Sequence, residues 1–73
     1  MGRLRVLSGR DVWRILEQHG FQLVRQRGSH GIMQRQSDSG TVTVPVPDHA
    51  EIRIGTLQSI IRQSGIPRTA FEV

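Results

Sequence analysis

Thr41-Val42-Thr43-Val44-Pro45-Val46 is the stretch whose pattern decides the fold. Val42, Val44 and Val46 alternate with Thr41, Thr43 and Pro45, the period of two that gives a strand one buried and one solvated face. Pro45 and Pro47 have no N–H to give a ladder, so this strand lies at a sheet edge or ends there. Working upstream, Ser37-Asp38-Ser39-Gly40 is a turn by composition. Before it, two further runs over about 30–36 and 21–27 complete the spacing of an antiparallel meander. In the first run Phe21 and Leu23 lie on the opposite parity from Val24. A bulge or burial on both faces would reconcile them.

Helical spacing flanks the three strands. Ser8-Gly9-Arg10-Asp11 has the shape of a capping box with Asp in place of Glu. After it Val12, Ile15, Leu16 and His19 share one face, with Trp13 at its edge, and Gly20 terminates the element. A first helix over about 9–19 is expected. Leu57, Ile60 and Ile61 form the stripe of a second helix from Gly55, with Thr56 able to cap and Gly65 as the stop. Pro67 can open a short last helix that carries Ala70 and Phe71 to the core. A sheet this small needs cover on one face, and two amphipathic helices supply it. The expected class is α+β, a three-stranded antiparallel sheet with helices on one face in the order α-β-β-β-α. This resembles the double-stranded-RNA-binding domain. With 73 residues, no linker and no repeat, a single domain over 1–73 is expected.

The chain has no cysteine, so neither a disulfide framework nor a thiolate metal site supplements the core. No segment approaches the roughly 18 uninterrupted apolar residues of a membrane span, and a cytoplasmic protein is the expectation. The formal net charge is +4, and every one of the ten Lys+Arg residues is arginine. Arginine offers a planar fork of donors suited to phosphate and to stacking on bases. A GC-rich or thermophilic genome explains the same bias, so composition leaves both readings open.

Arg25-Gln26-Arg27-Gly28-Ser29-His30 is the main candidate for chemistry. It places a histidine beside two arginines at a hairpin tip, where flanking strands hold an exposed side chain. Gly28 permits a positive φ, Ser29 can donate to a phosphate oxygen, and Gly31 removes bulk behind His30. Histidine titrates near neutrality, and in RNA the neighbouring 2′-hydroxyl is the nucleophile, so one general base can start cleavage without a metal. Arg25, Arg27 and Arg35 would then stabilise charge on the phosphorane. Read from the tripeptide alone, a surface histidine in a polar turn is the favoured reading.

The same hexapeptide, the proline-ended strand Thr41-Val42-Thr43-Val44-Pro45 and Gly55-Thr56-Leu57-Gln58-Ser59-Ile60-Ile61-Arg62-Gln63-Ser64-Gly65-Ile66 together resemble the HicA (YcfA) toxin family. The resemblance runs from about Ser8 to Phe71. It implies a small mRNA interferase with a double-stranded-RNA-binding-domain-like fold, neutralised by a HicB-like antitoxin. It also implies that His30 is the catalytic histidine, with Gly28 and Ser29 its loop, and that no cofactor takes part. Position 31 is Gly where many relatives carry histidine or a larger residue, and the chain after Pro45 reads Val46-Pro47-Asp48-His49 rather than Pro-x-His. Those departures motivate the alternative, a non-catalytic RNA-binding module with the same fold.

Among the remaining candidates, His49 follows a strand end beside Asp48, where an acid can hold a tautomer. It is either an accessory acid or phosphate contact, or a solvated loop histidine. His19 at the end of the first helix suits carbonyl capping. Arg10 and Arg14, one turn apart, either track RNA phosphates or form a solvated face, and Trp13 is either a stacking group or core. The histidines and acids lack metal-ligand spacing, so no metal site is expected.

Overall fold

The structure is a computed structural model that describes residues 2–73. Its order is α1 (Gly9–Gln18), β1 (Gln22–Arg27), β2 (His30–Ser37), β3 (Gly40–Pro47), α2 (Ile54–Ser64) and a 3₁₀ helix (Arg68–Phe71). The strands form one antiparallel sheet in the order β1-β2-β3, so the α-β-β-β-α order and open sheet expected from the sequence are present.

The capping box forms in full. Asp11 N–H donates to Ser8 Oγ at 3.1 Å, and Ser8 N–H donates to the Asp11 carboxylate at 3.0 Å. The bonds from the Ser8 backbone and hydroxyl hold the Asp11 carboxyl below the ordinary carboxylate value of 3.8. His19 closes the helix by hydrogen-bonding the Ile15 carbonyl through Nδ1 at 2.9 Å. Gly20 follows with φ +90°.

Cross-strand partners share a face of the sheet. Met33 opposite Val44 and Gly31 opposite Val46 lie on the inner face, under the helices, and all four are buried. The core joins them to Val12 and Leu16 of α1, Leu57 and Ile60 of α2, Phe71 of the 3₁₀ helix, and Phe21 and Ile52 between elements. Fully burying such a side chain contributes about 1.5–3 kcal/mol.

β1 settles the parity conflict. The register shifts between Leu23 and Arg25, so Val24 is the extra residue of a bulge. Every β1 residue is exposed, Leu23 and Val24 included, which rules out burial on both faces. Phe21 reaches the core from the turn before the strand, outside the alternation. Pro45 and Pro47 stand on β3, an edge strand.

Two further features differ from expectation. α2 begins at Ile54 with Arg53 at the N-cap and no side-chain cap bond, so Thr56 sits within the first turn instead of capping it. Gly65 ends the helix as expected, with φ +72° and its N–H on the Ile61 carbonyl. The chain ends also pair, which periodicity did not suggest: Leu4 bridges Glu72, Arg5 N–H donates to the Phe71 carbonyl at 2.9 Å, and Val73 N–H donates to the Arg3 carbonyl at 2.8 Å. Among the described residues no helix is long and apolar enough to cross a membrane.

Candidate active site

His30 is the first residue of β2, paired with Arg27 on β1 and Pro47 on β3. These three form a row on the outer face of the sheet, the face that carries no helix. The turn before His30 holds two residues, Gly28 and Ser29. Gly28 takes φ +56° and Ser29 a negative φ, the sign pattern of a type II′ turn, whose twist matches antiparallel strands.

Long-range bonds fix this turn to the segment after β3. Asp48 N–H donates to the Ser29 carbonyl, which ties the hairpin tip to the end of β3. The Asp48 carboxylate receives Nε and Nη2 of Arg10, each at 3.3 Å. Gly9 N–H donates to the His49 carbonyl at 2.8 Å, and Ile52 N–H to the Leu7 carbonyl at 2.7 Å. A β-carbon at Gly9 would collide with the Pro47 carbonyl oxygen, so only glycine lets α1 start this close to the strand end.

The result is an open pocket of about 310 Å³ that brings His30 and His49 together. Pro45 and Pro47 of β3, Glu51, Ile52, and Arg53 and Thr56 of the α2 start complete its lining. Its polar lining of two imidazoles, an arginine, a carboxylate and a helix start combines groups that can hold a phosphate with groups that can move a proton.

The other sequence candidates divide by face. Arg25 pairs with Ile32 and Arg27 with His30, which sets both arginines on the outer face with the pocket. Arg35 pairs with Val42 on the inner face. Its guanidinium stacks over Phe21 at 5.0 Å, Nη2 approaches the Ser64 carbonyl at 3.5 Å, and Nε is buried without a hydrogen-bond partner. The structure therefore separates Arg35 from His30, because strand alternation sends odd and even positions of β2 to opposite faces. Arg10 is engaged with Asp48 and lies over Trp13 at 5.7 Å, and Arg14 pairs with Asp11 at 3.3 Å. Neither joins the pocket lining.

Trp13 accounts for Gly31. A β-carbon at position 31 would lie 2.5 Å from Cζ2 of Trp13, whose Nε1 donates to the Val46 carbonyl at 3.3 Å. The indole occupies the place of a side chain at 31, on the face away from His30. β3 runs to Pro47, which pairs with His30, so Pro47-Asp48-His49 itself supplies the Pro-x-His spacing two residues beyond Pro45.

Glu51 and Arg53 were not singled out from the sequence, and Thr56 was named only as a helix cap and as part of the family motif. Their only signal was proximity to His49 and to the start of α2. Among the described residues no group of three or more His, Asp or Glu side chains is disposed to hold a metal ion.

The fold is a small open-sheet α+β domain with two histidines lining one pocket at a sheet end, a description that fits a class of proteins rather than one. The family model of the HicA toxin of bacterial toxin–antitoxin systems matches residues 9–66. The chain belongs to the HicA toxin family. No curated protein was found to match it.

Proposed function

We propose that this chain is the toxin of a toxin–antitoxin pair and acts as a metal-independent endoribonuclease on mRNA, with His30 as general base. The observation that carries the proposal is the shared pocket of His30 and His49, next to Arg27 and the α2 start. Neutral His30 takes the proton from an RNA 2′-hydroxyl. The oxygen attacks the adjacent phosphorus, the P–O5′ bond breaks, and His49 as imidazolium protonates the leaving 5′-oxygen. The products are a 2′,3′-cyclic phosphate and a 5′-hydroxyl end. Arg25 and Arg27 hold the charge that builds on the phosphorane. Because the nucleophile is in the substrate, neither a cofactor nor a metal-bound water is required.

A HicB-like antitoxin, acting in the cytoplasm with the toxin, would cover the pocket or block RNA from it. Acidic residues are natural anchors for Arg25 and Arg27 in such an interface.

The test is end-group analysis of RNA incubated, with chelator present, with wild type and His30→Ala. Cyclic phosphate ends from wild type and none from the variant are expected. Undiminished cleavage by His30→Ala overturns the assignment. RNA binding by wild type without cleavage establishes the non-catalytic module instead. His49→Ala should lower kcat by about 10²–10⁴-fold, the usual contribution of one proton-transfer group.

A further inference from the structure

The outer face of the sheet is a strip of one charge sign that continues away from the pocket. Its rows are Arg27–His30–Pro47, then Arg25–Ile32–Pro45, then Gln22–Gln34–Thr43. No acidic residue stands in any of them. Rows two residues apart are separated by about 7 Å, so His30 and Gln34 lie roughly 14 Å apart along β2. Beyond the third row β1 has ended while β2 runs on. This leaves an open notch of about 510 Å³ lined by Gly20, Gln22, Val24, Gln34, Arg35 and Gln36. Gln34 Nε2 donates to Thr43 Oγ1 at 3.3 Å, which orients the amide and leaves its oxygen and second N–H for another partner.

On the helix side the charge balance is mixed, with Arg62 of α2 unpaired among the described residues and two other arginines paired. Arg10 and Arg14 are paired with Asp48 and Asp11. Arg25 and Arg27 have no acidic partner among the described residues, although both are exposed. Two of the arginines that lack an acidic partner, Arg25 and Arg27, therefore face outward from the sheet, in line with His30.

We propose that single-stranded RNA crosses this open sheet face, its backbone on Arg25 and Arg27 and the base of a nucleotide near the scissile phosphate seated in the glutamine notch. Gln22 and Gln34 read that base. Glutamine amides present a donor and an acceptor together, the pattern that matches a base edge. In a duplex those edges lie inside a groove that a flat sheet does not enter, whereas an unpaired base presents them freely. Ile32 and Pro45 give the strand an apolar surface to cross between the two polar ends. The inference rests on the reading of the His30 pocket as an RNA site.

The experiment uses His30→Ala, which should not cut, and measures Kd across salt for a labelled single-stranded RNA set and for duplexes of the same sequences. Single strands should bind about tenfold tighter or more. Arg25→Ala and Arg27→Ala, each added to that background, should weaken all single strands alike and reduce the salt slope by about 1. Gln34→Ala should narrow the spread of affinities among sequences and leave the salt slope unchanged. Arg14→Ala and Arg62→Ala on the helix side should stay within about twofold. Equal binding of duplex, or greater loss from Arg14→Ala than from Arg25→Ala, overturns the proposal. So does unchanged RNA binding in the sheet variants, and weakened binding only to an acidic protein partner would give the face to that partner. If wild type proves unable to cut RNA while these affinities come out as stated, the RNA track stands and the catalytic reading falls. No binding of any RNA by His30→Ala overturns the RNA track, and the catalytic reading then stands or falls on cleavage by wild type.

Discussion

Two turns of two residues join the strands of this sheet, and they are held by different means. Asp38-Ser39 joins β2 to β3 and is satisfied within itself: Ser37 Oγ donates to the Gly40 carbonyl at 2.8 Å, and the Ser37 and Ser39 hydroxyls are 3.4 Å apart. Gly28-Ser29 joins β1 to β2 and is held from outside, by Asp48 N–H on the Ser29 carbonyl and by Arg10 on Asp48. Local turn chemistry is enough to reverse a chain. Bringing a histidine to the same pocket as a second histidine takes bonds from residues distant in sequence, because a hairpin alone has no reference for where its tip points.

The largest break in the comparison is expected from Gly9→Ala. The new β-carbon meets backbone, the Pro47 carbonyl, so the helix start or the strand end must move. A loss of about 2–3 kcal/mol or more is expected, with a Tm drop on the order of 10–20 °C for a domain of this size. At the other turn, Ser37→Ala removes one exposed hydroxyl bond and should cost no more than about 1 kcal/mol. Equal Tm shifts for the two variants would show that the tie to α1 contributes nothing special.

Gly31→Ala tests the inner support of the same turn. Its β-carbon crowds the Trp13 ring, and about 1–3 kcal/mol of destabilisation is expected. Trp13→Ala creates its own cavity, yet the double variant should be less destabilised than the sum of the singles, because the clash is gone. Additive losses in urea unfolding would break the pairing.

Asp48→Ala separates position from stability. The Arg10–Asp48 pair is exposed, so its loss should change stability by less than about 1 kcal/mol. If the pair aims the His49 segment, kcat for RNA cleavage should fall by about tenfold with KM little changed. Ser37→Ala should leave both constants alone. A matching fall in kcat at the free turn would erase the contrast.

The sequence carried the fold where the forces are local. Ser8 and Asp11 are three residues apart, and their reciprocal bonds need only each other. The alternation of Val42, Val44 and Val46 needs only a strand, and Gly65 only a left-handed stop. The Gly28-Ser29 turn before His30 was legible because its glycine marks a reversal between two strand-like runs. What escaped was long-range. Phe21 is buried because the chain turns inward before β1, and no period marks that. Arg35 shares a strand with His30, but its parity became clear only once His30 was known to face outward. The links from Gly9 and Arg10 to the segment after β3 span nearly forty positions, and neither residue type announces its partner. Arg53 and Thr56 joined the pocket because α2 starts earlier than its apolar stripe does.

The smallest expected effect is acid sensitivity at the start of α1, next to the glycine that holds the His49 segment. Asp11 is held below its ordinary value of 3.8 by bonds from Ser8, so its ionised form is favoured in the folded state. A carboxyl lowered in this way contributes stability that is fully present above its unfolded value, about 3.9, and is lost as pH falls through the folded one. Neutral and mildly acidic solutions should therefore leave the cap intact. Below about pH 4 wild type should lose a contribution that Asp11→Asn lacks at every pH, so their unfolding free energies should converge as the pH drops. Amide exchange in the first turn of α1 should quicken over the same range, with the free turn at Asp38-Ser39 serving as the internal reference. A constant gap between the two proteins from pH 6 to pH 2.5 would show that the Ser8–Asp11 bonds do not carry the effect, and that acid reaches the tethered turn by another route.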